Sequence, residues 1–410
     1  MNRENLPEVV LAVTLGLLVV VAAAYRTTKV PSPGVRRRSA MAALLVYAVI
    51  ATPVFVSSGM SFWLLMVLVG VLALPLVAAA VAPRYTTDSE GAAESAVRAL
   101  VGTGLAAALL VGAGETLAMI GRVDPRTVVI VIAAIAALVT MGQGLAGSSR
   151  IGSLALWLLI VPALISIALG ILLGSAAEAV SPIVEVPGPS WAGVAVVALG
   201  VFVIGWADNT LRATTTEGAP GHWRTWLGTA AIVVVIAFGQ LMFLGGAVIA
   251  PSLQFFVLPA NLDIAPGLAG VIIAILTVVF TALVALVVTG ASAAGAAGSG
   301  LTGAWAAGIA VVAAGIALFD PGVDRILIVT ALAAAALAGA QLGGRAVNRG
   351  VGAGLVVAAI AVVLLSITSR LELEVAAVAA MAVVLVVALA TSKVGASTTQ
   401  TDSDAPSPRQ

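Results

Sequence analysis

The segment LVGAGETLAMIG, residues 110–121, indicates the fold class of this 410-residue chain. Eleven of its twelve residues are apolar, glycine or threonine, and the twelfth is Glu115. A carboxylate in such a run is costly in lipid unless it is paired, protonated or in contact with water. The segment is therefore typical of a membrane-spanning helix that carries one polar group for a structural or functional reason.

The composition of the whole chain agrees with this interpretation. Hydrophobic residues make up 61% and charged residues 9%, and the mean hydropathy is +1.18, whereas a soluble domain has about 25% charged residues. The chain has no cysteine and one histidine, His222, which excludes disulfides and thiolate or multi-histidine metal sites. A net charge of +1 argues against a nucleic-acid partner. We predict an integral membrane protein with the lipid bilayer as its main surroundings.

Apolar runs long enough to cross a bilayer as helices need roughly 17–25 residues. About thirteen such runs are present, which predicts an all-α, polytopic membrane protein whose transmembrane domain covers 1–392. The tail 393–410 is rich in Ser, Thr, Asp and Pro and is predicted to be disordered. The predicted spans are 8–25, 39–57, 61–82, 96–120, 127–147, 151–174, 190–207, 225–250, 266–290, 303–319, 323–343, 351–368 and 373–391.

Basic residues give the predicted orientation. The segment after the first span, YRTTKVPSPGVRRR (25–38), has five Lys or Arg residues, and these residues favour the cytoplasmic side. Alternating the spans from there places fourteen of the nineteen Lys and Arg residues inside and five outside. We therefore predict a multi-pass protein of the cell membrane with an external N-terminus and a cytoplasmic C-terminus. The flank MNRENLPE (1–8) is acidic, which favours a retained first helix over a signal peptide.

The order of the spans suggests an internal repeat. Many transporters consist of two inverted halves whose first helices are interrupted at the substrate site. If span 8–25 is peripheral, residues 39–174 and 190–343 form two halves of five helices each, followed by two extra helices in 351–391. Thr52 precedes a proline in the first helix of one half, and Gly205 lies in the first helix of the other. The alternative is that these residues are ordinary kinks in membrane helices.

Four stretches resemble the sodium/solute symporters, and among them the cation–acetate symporter branch. They are the proline-basic corner and Ala-Val-Arg start in 75–102, the GAG-containing helix and Asp-Pro turn in 111–156, the helix end and loop with Arg212 in 205–225, and the Gly-Ala-Ser-Ala run in 279–297. The resemblance implies a 5+5 inverted-repeat fold with broken first helices and sodium-coupled uptake of small solutes. The chain departs from the family in 39–59, which has no acidic residue, and in the corner after Gly144, where Leu145 stands in place of a basic residue.

Span 266–290 carries a row of hydroxyl residues at helical spacing, Thr277, Thr281, Thr289 and Ser292. Sodium prefers oxygen ligands, and backbone carbonyls at Ala48 and Val49 of an interrupted span 39–57 would complete such a site. The resemblance places the family's sodium ligands near Thr281 and its neighbour Ala282. The alternative is that the hydroxyls bond to the carbonyl four residues back, as is common in membrane helices.

Other polar residues inside spans are few. Three interpretations of Glu115 stay open. The carboxylate contacts water and binds a cation or proton, or it pairs with Arg122 or Arg126. In the third, it is protonated and hydrogen-bonded between helices. Gln240 and Gln341 are expected to bond between helices. The substrate or proton candidates are Glu115, Thr52, Gln240 and Gly205.

The sequence predicts a secondary transporter that couples Na⁺ or H⁺ to uptake of a small organic solute, such as a carboxylate, by alternating access. It predicts no cofactor and no enzymatic activity, because no cluster of His, Asp or Ser suggests catalysis. The alternatives are a non-transporting protein that kept the symporter fold as a scaffold or sensor, and a membrane protein of the cell envelope that handles lipid.

Overall fold

The computed structural model describes residues 6–24, 92–173, 266–296 and 301–319, together with the single positions Ile326, Thr330 and Ala333. These four segments fold into five helices, and within them there is no strand. Within these described segments, three stretches are long and apolar enough to cross a membrane, Ala96–Ala118, Pro125–Gly142 and Gly270–Ala293. The helices are α1 (Leu6–Ala24), α2 (Ala92–Gly121), α3 (Pro125–Leu173), α4 (Pro266–Gly295) and α5 (Thr302–Leu318).

Four predicted spans, 8–25, 96–120, 266–290 and 303–319, match α1, α2, α4 and α5 to within a few residues. Span 323–343 is described only at three helical positions. The remaining predictions lie outside the described residues, including the layout of the two halves and the tail 393–410. The spans concerned are 39–57, 61–82, 190–207, 225–250, 351–368 and 373–391.

Helix α3 corrects one boundary. The sequence predicts two spans, 127–147 and 151–174, separated by a glycine-rich corner, but α3 is one continuous helix of 49 residues from Pro125 to Leu173. At 1.5 Å per residue it is about 74 Å long. The corner GQGLAGSS (142–149) contains no proline, and isolated glycines are tolerated inside a helix at a cost of about 1 kcal/mol each. The predicted helix end at 147 is therefore wrong.

The turn between α2 and α3 was predicted correctly. Helix α2 ends at Gly121 and α3 begins at Pro125. Proline suits a first helical position because its missing N–H would have no partner there. Asp124 is the N-cap: its Oδ2 accepts hydrogen bonds from the Thr127 N–H at 3.3 Å and from the Thr127 hydroxyl at 3.2 Å. The Asp-Pro pair thus ends the turn after α2 and starts α3.

Helix α4 is the centre of the described bundle. It contacts all four other described helices, and its most extensive contacts are with α3 and α2. Almost every side chain from Leu276 to Ser292 is buried, including Phe280 and the run Ala282–Val288. A helix that is apolar on all sides must be enclosed by protein or lipid. Enclosure by the neighbouring helices accounts for the burial of its hydroxyl residues.

Contacts at the helix ends give the relative directions of α2 and α4. A Cβ built at Gly121 in α2 would lie 2.9 Å from Leu11 Cδ2, and one at Gly270 in α4 would lie 3.4 Å from Val10 Cγ2. The end of α2 and the start of α4 therefore lie beside the same part of α1. Helices α2 and α4 therefore run antiparallel.

Small residues allow close approach at three places in the described part of the bundle. A Cβ built at Gly102 of α2 would lie 2.5 Å from Ala291 Cβ of α4, and one at Gly104 would collide with the Thr330 hydroxyl. At the end of α4, the ring of Trp305 from α5 lies against Gly295, 2.6 Å from where a Cβ would be. Close packing through glycine is the usual way that membrane helices associate.

Candidate functional site

The strongest predicted site lies on α4 and consists of four hydroxyl residues, which we call the hydroxyl row. Its members are Thr277, Thr281, Thr289 and Ser292, with exposed fractions of 0%, 2%, 3% and 0%. Each hydroxyl donates to the carbonyl four residues back: Thr277 to Ile273 at 2.7 Å, Thr281 to Thr277 at 2.8 Å, Thr289 to Ala285 at 2.7 Å and Ser292 to Val288 at 2.5 Å.

These bonds determine which atoms of the hydroxyl row remain available to contact a ligand. A hydroxyl has one proton and two lone pairs, and in the row each proton is already directed at a carbonyl. Each oxygen is therefore left with lone pairs that can accept a further contact. The alternative that the sequence left open, bonding to the preceding turn, is the observed arrangement, and it leaves the oxygens able to contact a cation.

A fifth hydroxyl, that of Thr140 on α3, contacts the row. Thr140 Oγ1 lies 3.1 Å from Thr289 Oγ1 and also donates to the Ala136 carbonyl at 2.9 Å. This contact links α3 and α4 across a buried interface, since Thr140 is 4% exposed. Sequence reasoning missed Thr140, because spacing within one helix does not show which residue of another helix stands opposite.

Thr116 on α2 differs from the other buried hydroxyls of the described helices. Its side chain is 1% exposed, and its Oγ1 has no hydrogen-bond partner. By contrast, the buried Thr103 and Thr330 and the half-buried Thr14 all donate to the carbonyl four residues back, at 2.7, 2.6 and 2.7 Å. Sequence reasoning missed Thr116, because nothing in the sequence shows which buried hydroxyl lacks a partner.

The charged residues of α2 are differently placed. Arg98, near the start of the helix, is 4% exposed, and it is the only charged residue among the described buried side chains. Glu115 is exposed. Within the described part of the chain, no group of three or more His, Cys, Asp or Glu residues is arranged to hold a metal ion. Hydroxyl and carbonyl oxygens are therefore the ligands that this part of the bundle offers to a cation.

Five predicted site residues lie outside the described residues. They are Ala48, Val49, Thr52, Gly205 and Gln240. The α4 members of the predicted cation site lie along one buried helix, with Thr277 and Ser292 about 22 Å apart, and Thr140 contacts one of them, Thr289. The cation site itself and the contribution predicted for span 39–57 stay predictions.

Comparison with known proteins identifies the fold. No family model matches the chain, and no curated relative matches it. Among solved structures, the chain is similar to a Na⁺-coupled sialic acid symporter in a substrate-bound outward-open state. The match has a TM-score of 0.67 at 14% sequence identity and covers 95% of this chain and 98% of the symporter. The chain shares the fold of that symporter. The resemblance to sodium/solute symporters is thereby supported at the level of the fold, and the cation–acetate branch stays a prediction.

Proposed function

We propose that the protein is a secondary transporter in which a cation gradient drives movement of a small organic solute across the membrane by alternating access. The observation that carries this proposal is the fold, which matches that of a Na⁺-coupled symporter over 95% of the chain. The buried hydroxyl row on the central helix adds to it, because its oxygens are acceptors in a place sheltered from lipid. Two inverted halves, 39–174 and 190–343, would supply the moving parts.

The chemistry of the described residues favours Na⁺ over H⁺ as the coupling ion. Sodium is a hard cation that binds neutral oxygen ligands as well as carboxylates, by the same preference that calcium and magnesium show. Proton coupling needs a side chain that titrates, and no described Asp or Glu side chain is buried in the bundle. For the solute, the sequence-based prediction of a small carboxylate stands as a proposal.

The test is uptake by purified protein in liposomes with an imposed Na⁺ or H⁺ gradient and a panel of carboxylates, amino acids and sugars. We expect uptake of at least one solute that requires an inward Na⁺ gradient. Thr281→Val keeps the side-chain shape but removes one oxygen, so the Na⁺ concentration for half-maximal uptake should rise by about tenfold. Uptake that is independent of both gradients for every solute would contradict the proposal.

The matched control is Thr14→Val. Thr14 also donates to the carbonyl four residues back, Val10, at 2.7 Å, but it lies on α1 rather than on the central helix. The Thr14→Val variant therefore loses the same kind of hydrogen bond, while the proposed cation site is unchanged. We expect its Na⁺ dependence to be that of the unchanged protein.

A second candidate function is a symporter fold that no longer transports. It is favoured by the absence of an acidic residue in 39–59. A protein of this kind would show no gradient-dependent flux with any solute, and Thr281→Val would change only its melting temperature. The uptake experiment separates the two candidates directly.

A further inference from the structure

The starting observation is the Thr116 hydroxyl of α2, which is buried and has no hydrogen-bond partner among the described residues. A buried polar group without a partner costs folding free energy, about 1–3 kcal/mol. The usual remedy in a membrane helix, bonding to the carbonyl four residues back, is used by the described buried threonines Thr103, Thr140 and Thr330 but not by Thr116. Thr116 therefore keeps both its proton and its lone pairs for another group.

The packing of α2 against α4 shows where this hydroxyl lies. The two helices run antiparallel and touch closely at Gly102 and Ala291. Thr116 is fourteen residues further along α2, and Thr277 is fourteen residues earlier along α4. Fourteen residues make roughly 3.9 turns and about 21 Å. For an antiparallel pair of regular helices this spacing puts Thr116 and Thr277 at about the same level, each roughly 40° from the face of its helix that carries the Gly102–Ala291 contact.

The oxygens at this level share one chemical property. The Thr277 and Thr281 protons are directed at the carbonyls of Ile273 and Thr277, so both oxygens act as acceptors. The Thr116 hydroxyl is free of such a bond and can turn its lone pairs in the same direction. Three acceptor oxygens in an enclosed place suit an electron-poor ligand, and a small hard cation is the simplest of these.

We infer that Thr116 is a ligand of the coupling cation, and that it binds Na⁺ from α2 together with Thr277 and Thr281 of α4. This inference rests on the proposed cation-coupled function and adds to it a residue on a second helix. Glu115 is not part of the site, because consecutive residues of a helix point about 100° apart and the Glu115 side chain is exposed. The site is therefore built from neutral oxygens.

The experiment measures Na⁺ binding without transport. Purified full-length protein in detergent is titrated with NaCl against choline chloride at constant ionic strength, and its melting temperature is followed by tryptophan fluorescence. We expect a saturable rise of the melting temperature with Na⁺. Thr116→Val should raise the half-saturating Na⁺ concentration by about tenfold, and Thr116→Ser, which keeps the oxygen, should stay within about threefold of the unchanged protein.

A second readout comes from the protein without Na⁺. Thr116→Val replaces an unsatisfied hydroxyl with a methyl group of the same size, so we expect it to melt at a higher temperature than the unchanged protein in choline chloride. The matched control is Thr103→Val, on the same helix, where the hydroxyl is buried and bonded to the Ala99 carbonyl at 2.7 Å. Its half-saturating Na⁺ concentration should be unchanged.

The outcomes separate this inference from the proposed function. If Na⁺ raises the melting temperature of the unchanged protein and Thr116→Val responds in the same way, the inference is overturned while Na⁺ coupling stands. Equal losses in Thr116→Val and Thr116→Ser would also overturn it, since packing would then be the cause. An absent Na⁺ response overturns it as well. A response that depends on Thr116 in a protein without flux would support the site and contradict the transport proposal.

Discussion

Two residues shape the turn that reverses the chain between α2 and α3. Arg122 has a φ of 53°, in the left-handed region that costs a non-glycine residue roughly 1–2 kcal/mol. It is the only non-glycine residue with positive φ in the described part of the chain. Two positions later, Asp124 caps α3 through its bonds to Thr127. The turn is thus strained at its first residue and stabilised at its last.

The cap leads to a prediction about stability. Asp124→Ala removes the acceptor for the Thr127 N–H and should lower the free energy of unfolding by about 1 kcal/mol. Asp124→Asn keeps an oxygen acceptor and should lose less than half as much. Thermal melting of the purified protein in detergent measures both. An equal loss in the two variants would show that the negative charge at the helix N-terminus, rather than the hydrogen bond, is what stabilises the turn.

At the scale of the helices, the α2–α4 contact depends on the absence of a side chain at Gly102. Its closest neighbour is Ala291 Cβ, 2.5 Å from the position of an added Cβ, a distance that the backbones cannot accommodate without moving apart. The cation site inferred above lies between the same two helices, so their spacing affects both stability and that site. A small change at Gly102 should therefore affect both the melting temperature and the Na⁺ dependence.

We expect Gly102→Ala to lower the melting temperature, with a free-energy cost of about 1–3 kcal/mol from overpacking. Ala291→Gly should restore part of this loss in the double variant, because it removes the opposing Cβ. The control is Gly308→Ala on α5, where an added Cβ meets nothing within 4 Å and where alanine should stabilise the helix by about 0.5–1 kcal/mol. If Gly102→Ala melts like Gly308→Ala, the close approach of α2 and α4 is contradicted.

At the scale of the whole molecule, the sequence was sufficient to predict those features that depend on neighbouring residues within one segment. Apolar length and composition predicted the spans that became α1, α2, α4 and α5, and the Asp-Pro pair predicted the turn before α3. Spacing of four, eight and three residues placed the hydroxyl row on one helix. What it could not predict depends on contacts between helices: Thr140 opposite Thr289, and Thr116 without a partner. The continuity of α3 was missed because glycines were read as a corner.

Glu115 gives a prediction that concerns the transporter as a whole. The structure places its side chain on the exposed side of α2, away from the face that meets α4. We expect Glu115→Gln to leave the half-saturating Na⁺ concentration within about twofold of the unchanged protein, less than the effect of losing one ligand. The measurement is the same Na⁺ titration of the melting temperature. A rise of tenfold or more in the half-saturating Na⁺ concentration would contradict this expectation and would indicate that the carboxylate contributes to Na⁺ binding.

The contact of Trp305 with Gly295 has a consequence for observing the molecule at work. The indole ring lies against the end of the central helix, while 41% of its surface is exposed. Indole emission shifts in wavelength with the polarity around the ring, so any separation of α4 from α5 changes the light that this residue emits. With the other tryptophans replaced by phenylalanine, Trp305 would act as a built-in fluorophore at the joint between these two helices.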